Sequence, residues 1–123
     1  MIKNSLSYVK AYNFAIRVVR ANQFLQNEKK EFVLSKQFLR SGTSIGANLA
    51  EANGAISDND FSAKISIAYK ECLETKYWLA LLKDTNYIDE NMFISLFNDS
   101  DEISKMLFSI LKSTRIKKNT ANC

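Results

Sequence analysis

The chain contains no proline, no histidine and only three glycines in 123 residues. At ordinary usage this length carries about six prolines and about nine glycines, so the residues that punctuate turns are scarce. That scarcity argues against sandwiches and barrels, which need many turns. The missing histidine removes a histidine general base, every histidine-containing triad and His-ligated zinc. Cys72 and Cys123, the two cysteines, build neither a disulfide framework nor a four-thiolate metal site. They read as thiols of a reducing cytosol, so the expected location is cytoplasmic. No apolar run reaches the ~18 residues of a membrane span, and no signal peptide is recognisable.

What is present is an ordinary globular composition, 46% hydrophobic, with a net charge of +4. The distribution of that charge is uneven. Residues 1–27 carry Lys3, Lys10, Arg17 and Arg20 with no acid, and residues 103–123 carry Lys105, Lys112, Arg115, Lys117 and Lys118 with none. Residues 28–102 hold eight basic and thirteen acidic side chains. The chain is basic at its ends and acidic at its centre.

Helical periodicity divides residues 1–118 into four segments, about 4–26, 30–53, 58–84 and 89–117, with a frayed tail at 119–123. Asn53-Gly54 terminates the second, Ser57 with Asp60 reads as a capping-box variant opening the third, and Asp89 caps the fourth. Connections this short set neighbours antiparallel, which predicts an all-α, up-down-up-down four-helix bundle. The first and fourth helices then adjoin, and the basic chain ends gather at one end of the molecule.

On a helical wheel the first segment is apolar over roughly 220°, where a bundle helix needs an arc of only about 100° or somewhat more. Tyr8, Val9, Tyr12, Phe14, Ala15, Ile16, Val18, Val19 and Leu25 lie on that apolar side. On the fourth segment Met92, Leu96, Ile103, Leu107 and Ile110 form the core stripe, flanked by Phe93, Phe97 and Phe108. Two wide apolar faces predict self-association, with Phe93, Phe97, Phe108 and Trp78 as expected contacts.

The second segment carries a polar file, Gln37, Arg40, Ser41, Ser44, Asn48 and Glu51, beside an apolar stripe. Gly42 and Gly46 lie near that stripe and admit a close helix neighbour; each costs about 0.8–1 kcal/mol against alanine, which implies a packing reason. Glu71 and Glu74 on the third segment offer partners for Arg40. The file has three readings: a hydrogen-bonded network fixing helix register, a solvated face, or a ligand or catalytic site at Arg40, Asn48, Glu51, Glu71 and Glu74. Carboxylate-bridged metal bundles need Glu-x-x-His pairs, and Gly42-Thr43-Ser44-Ile45-Gly46 lacks the lysine of a phosphate loop. No enzyme and no cofactor is expected. Cys72, on a core stripe, reads as a small hydrophobe.

The run Phe32-Val33-Leu34-Ser35-Lys36-Gln37-Phe38-Leu39-Arg40-Ser41-Gly42-Thr43-Ser44-Ile45-Gly46-Ala47-Asn48 resembles the signature of the bacterial four helix bundle protein family, known also through proteins encoded in 23S rRNA intervening sequences. Glu51-Ala52, Asp60-Phe61, Lys64 to Ala68, Lys70 to Leu79 and Leu81-Leu82 continue the likeness. The resemblance implies a four-helix bundle that assembles as a barrel-like homopentamer. It also extends to the accessory variability determinant of diversity-generating retroelements, which binds nucleic acid and a reverse transcriptase.

Function on these grounds is that of a non-enzymatic, homo-oligomeric adapter binding RNA or DNA, with Lys3, Lys10, Arg17, Lys112, Arg115, Lys117 and Lys118 as candidate contacts. The alternative is a protein–protein assembly module without nucleic acid. Its expected partner is a reverse transcriptase or another protein encoded nearby. No nucleic-acid motif such as an aromatic stacking platform is evident in the sequence, and no membrane partner is expected.

Overall fold

The computed structural model describes the backbone of residues 5–121 and the side chains of residues 5–114. These residues form four α-helices and no strand: α1 (Leu6–Asn27), α2 (Leu34–Asn53), α3 (Asp58–Asp84) and α4 (Glu90–Ala121). Each helix packs on the next, and α4 closes back on α1 along the sparsest of the four seams. Diagonal helices do not approach one another's backbone within 8 Å. The helix neighbours are those of an up-down-up-down bundle.

Local chemistry explains most helix ends. The Ser5 hydroxyl accepts from the Tyr8 N–H at 3.3 Å, the Ser57 hydroxyl from the Asp60 N–H at 3.0 Å, and the Asp89 carboxylate from the Met92 N–H at 2.8 Å. Asp60 answers by accepting from the Ile56 N–H at 3.2 Å. At the end of α3, Asn86 takes a left-handed φ of 68°; its N–H donates to the Lys83 carbonyl and that of Tyr87 to Leu82, closing a Schellman motif.

Two boundaries depart from the sequence reading. α2 begins at Leu34 rather than near residue 30, because Lys30 is left-handed (φ 53°) and breaks any helix through it. The N-cap residue is Val33, which has no capping side chain, and the buried carboxylate of Glu31 takes over. It accepts from the backbone N–H groups of Val33, Leu34 and Ser35 at 3.2, 3.1 and 2.7 Å. α4 in turn runs to Ala121, past the expected stop at 117, since no proline or glycine interrupts it.

The core is continuous. Phe14, Val18 and Leu25 of α1 meet Phe38, Ile45 and Leu49 of α2, Ile65, Leu79 and Leu82 of α3, and Leu96, Ile103 and Leu107 of α4. Gly42 lets α1 press in: a Cβ there would lie 2.8 Å from both γ-carbons of Val18. Gly54 ends α2 with φ −99°, so it stops the helix without the left-handed turn that glycine usually supplies there.

Candidate functional site

The polar file of α2 resolves into separate contacts. Arg40 reaches across to α3, donating from Nη1 to Glu71 at 3.0 Å and from Nη2 to Glu74. Glu74 also accepts from the Trp78 indole at 2.9 Å. That indole bond, together with Arg40, holds the Glu74 carboxyl below its ordinary range, and the bond to Glu74 in turn raises the Arg40 guanidinium. Ser44 and Asn48 turn back onto their own helix, donating to the carbonyls of Arg40 and Ser44 at 2.6 and 2.8 Å. Glu51 pairs with Lys64 at 2.8 Å, and Gln37 is exposed. The cluster is an interhelical clamp. Half of the Arg40 side chain faces solvent, which screens the pair, so its main effect is on register rather than stability.

Behind the clamp lies a buried polar layer, of which the polar file held only Ser41. The hydroxyls of Ser41 and Thr75, both fully buried, hydrogen-bond at 3.0 Å between α2 and α3. Ser100 of α4 donates to the Cys72 carbonyl at 3.3 Å. Lys76 donates to Asp101 at 2.7 Å and to Ser104 at 2.9 Å, tying α3 to α4. Their signal was spacing: Thr75 falls between Cys72 and Leu79, and Ser100 between Leu96 and Ile103, at core positions. Burial pushes the Cys72 thiol up to about 12, which leaves it protonated and unreactive at neutral pH. Among the described residues no group of three or more Cys, Asp or Glu side chains is placed to hold a metal ion.

The basic candidates divide. Lys10 pairs with Glu102 at 2.9 Å, and Arg17 with Asp99 at 2.5 Å and the Ser95 hydroxyl at 2.7 Å, both across the α1–α4 seam. Their charge is matched within the bundle, on side chains that remain partly exposed. Lys112 is exposed. Lys3 and the side chains of Arg115, Lys117 and Lys118 lie outside the described residues. Ser5, Leu6 and Ser7 share a recess with Lys105, Met106 and Ser109. The first turn of α1 therefore lies beside the middle of α4, about three turns before its end at Ala121.

The model of the family described as "23S rRNA-intervening sequence protein" matches residues 3–109. The chain belongs to that family. A crystal structure of a protein of unknown function, from the S23 ribosomal protein family of Bacteroides thetaiotaomicron, is similar to it at 54% identity. The match covers 87% of this chain and 99% of that one, with a TM-score of 0.86. No curated protein matches the chain. Neither the family nor the solved neighbour indicates an enzymatic activity. No helix among the described residues of this family member is long and apolar enough to cross a membrane.

The aromatics expected to be spare are mostly engaged within this family member's own bundle. Phe93 and Phe97 pack on the core with ring centroids 5.2 Å apart. Lys83 sits over Phe93 at 4.4 Å and Lys76 over Phe97 at 5.6 Å. Trp78 is half-buried beside Tyr77 and Glu74. Only Phe108 of the four stands out, 52% exposed against Tyr69. The large exposed apolar stripe is on α1 instead: Leu6, Val9, Tyr12, Ile16 and Val19 recur at three- and four-residue steps, and Tyr12, Ile16 and Val19 line a shallow groove with Arg20 and Gln23.

Proposed function

We propose that this protein is a non-enzymatic homo-oligomer, a pentamer of four-helix bundles, that binds RNA or DNA through the basic side chains of its two terminal segments. The observation that supports the proposal is that α1 and α4 pack side by side and belong to terminal segments, residues 1–27 and 103–123, that hold nine basic and no acidic residues. Those segments include Lys3, Lys112, Arg115, Lys117 and Lys118. Cyclic symmetry repeats those cationic segments around a ring, and five copies carry a formal charge of +20. Multivalent phosphate contacts of this kind give strong, salt-dependent and sequence-tolerant binding. The outer stripe of α1, unpartnered in the single chain, supplies an apolar surface for assembly.

A second reading, a protein–protein assembly module without nucleic acid, draws on the exposed Phe108, which packs against the partly buried Tyr69. Neutralising basic side chains of the second terminal segment separates the two. In the variant Lys112→Gln, Arg115→Gln, Lys117→Gln and Lys118→Gln, RNA affinity falls and the salt slope flattens while light scattering reports the same assembly. Unchanged RNA binding would refute the assignment of those side chains.

A further inference from the structure

The turn between α1 and α2 presents two aromatic rings to solvent in an ordered setting. Phe32 is 57% exposed and Phe24, on the last turns of α1, is 36% exposed. The Glu31 N–H returns to the Leu25 carbonyl at 3.0 Å, which folds residues 31–33 back beside the end of α1. The Glu31 carboxylate then pins the backbone of Val33, Leu34 and Ser35, and the Ser35 hydroxyl donates to the Glu31 carbonyl at 2.8 Å. A buried carboxylate thus fixes the base of a loop whose apolar side chains point outward.

The surroundings of the rings are cationic and amide-rich. Lys29 holds its Nζ 5.8 Å from the Phe24 ring centroid, and Lys30 and Lys36 are exposed on the same turn and the first turn of α2. Glu28 is the one exposed acid of residues 28–36, since Glu31 is buried and spent on the α2 N-terminus. Gln23 and Asn27, both exposed, flank Phe24 on α1. Aromatic faces beside cations are the elements of sequence-tolerant single-strand binding. The amides favour that partner over a lipid surface, because they can meet base edges and would be costly to bury in hydrocarbon.

We infer that the α1–α2 corner is a stacking site for unpaired bases of single-stranded RNA or DNA, with Phe24 and Phe32 against the bases and Lys29, Lys30 and Lys36 on the phosphates. The site rests on the reading that the protein binds nucleic acid. It lies at the opposite end of the bundle from the basic termini, so the two contacts are separable. Duplex phosphates suit the terminal end, and unpaired bases suit this corner.

The test is fluorescence anisotropy at low salt with a labelled oligouridylate of about twelve nucleotides, a length within the usual range for one single-strand site. A duplex of equal length and vesicles containing anionic phosphatidylglycerol serve as the other arms. The variant is Phe24→Leu with Phe32→Leu, which keeps the apolar volume and removes the rings; circular dichroism verifies that it folds. Oligouridylate affinity is expected to fall about tenfold, the scale of a lost base–aromatic stack, with duplex affinity within about twofold. Undiminished oligouridylate binding by the variant would overturn the stacking site while leaving nucleic-acid binding at the basic termini intact. Wild-type protein that binds vesicles but not oligouridylate would replace the site with a membrane contact. Wild-type protein that binds neither oligonucleotide removes both this site and the proposed function.

Discussion

Gly42 is where packing constrains the chain most tightly. Since a Cβ would meet Val18 at 2.8 Å in a fully buried environment, Gly42→Ala is expected to lower stability by about 1–3 kcal/mol, read from the urea midpoint. Val18→Ala removes the obstructing atoms, so the double variant loses less than the two single losses added together. Gly46 and Gly54, whose nearest neighbours lie at 3.6 and 3.7 Å, accept alanine without that clash. The close approach was legible from two glycines four residues apart; that α1 makes it, and chiefly at Gly42, depends on helix rotation. Cys72 makes a second prediction at this scale. In a Cys123→Ser variant the Cys72 thiol resists a disulfide reagent at pH 8 in the folded protein and reacts once the protein is denatured. Its folded pKa, raised to about 12 against an ordinary 9.0, contributes stability that is present below pH 9 and lost as the pH rises towards 12.

At the level of the element, the helices that announce themselves carry their own caps. Ser57 with Asp60, and Asp89, do so in the sequence, and both operate in the structure. The start of α2 was not legible, because its cap comes from Glu31, a residue outside the helix whose reach depends on the left-handed Lys30. Burial opposes charge on Glu31, but hydrogen bonds from Ser35, Leu34 and Val33 outweigh it and hold the carboxyl below its usual value. Hydrogen bonds from Lys76 and Lys105 lower Asp101 likewise. Depressed carboxyl values contribute stability that is complete above the ordinary carboxylate range and lost as the pH falls through the folded values. With no histidine, the thermal midpoint is expected to stay level from about pH 6 to 8 and to drop below about pH 4.5. Glu31→Gln removes part of that acid sensitivity and costs about 1–2 kcal/mol at neutral pH, as the loss of a helix cap does.

For the whole molecule, the four-helix bundle was readable from periodicity and short connections, because both are local properties. The site was less readable because it depends on which faces meet. Lys10 and Arg17 look free in sequence, yet the α1–α4 seam supplies Glu102 and Asp99 as partners. Phe93 and Phe97 look spare, yet Lys83 and Lys76 cover them. The wide apolar arc of α1 survives as an exposed stripe, and Ile16→Glu in its middle is expected to reduce the proposed assembly to single chains while circular dichroism keeps its helical signal. The central claim is an oligomer that holds nucleic acid by charge, and sedimentation velocity with a labelled RNA reads both halves at once. At low salt the RNA should travel with a species several chains in mass, and it should separate from that species as salt rises to the physiological range. Sedimentation as a single chain, or an intact assembly that leaves the RNA free at low salt, would contradict it.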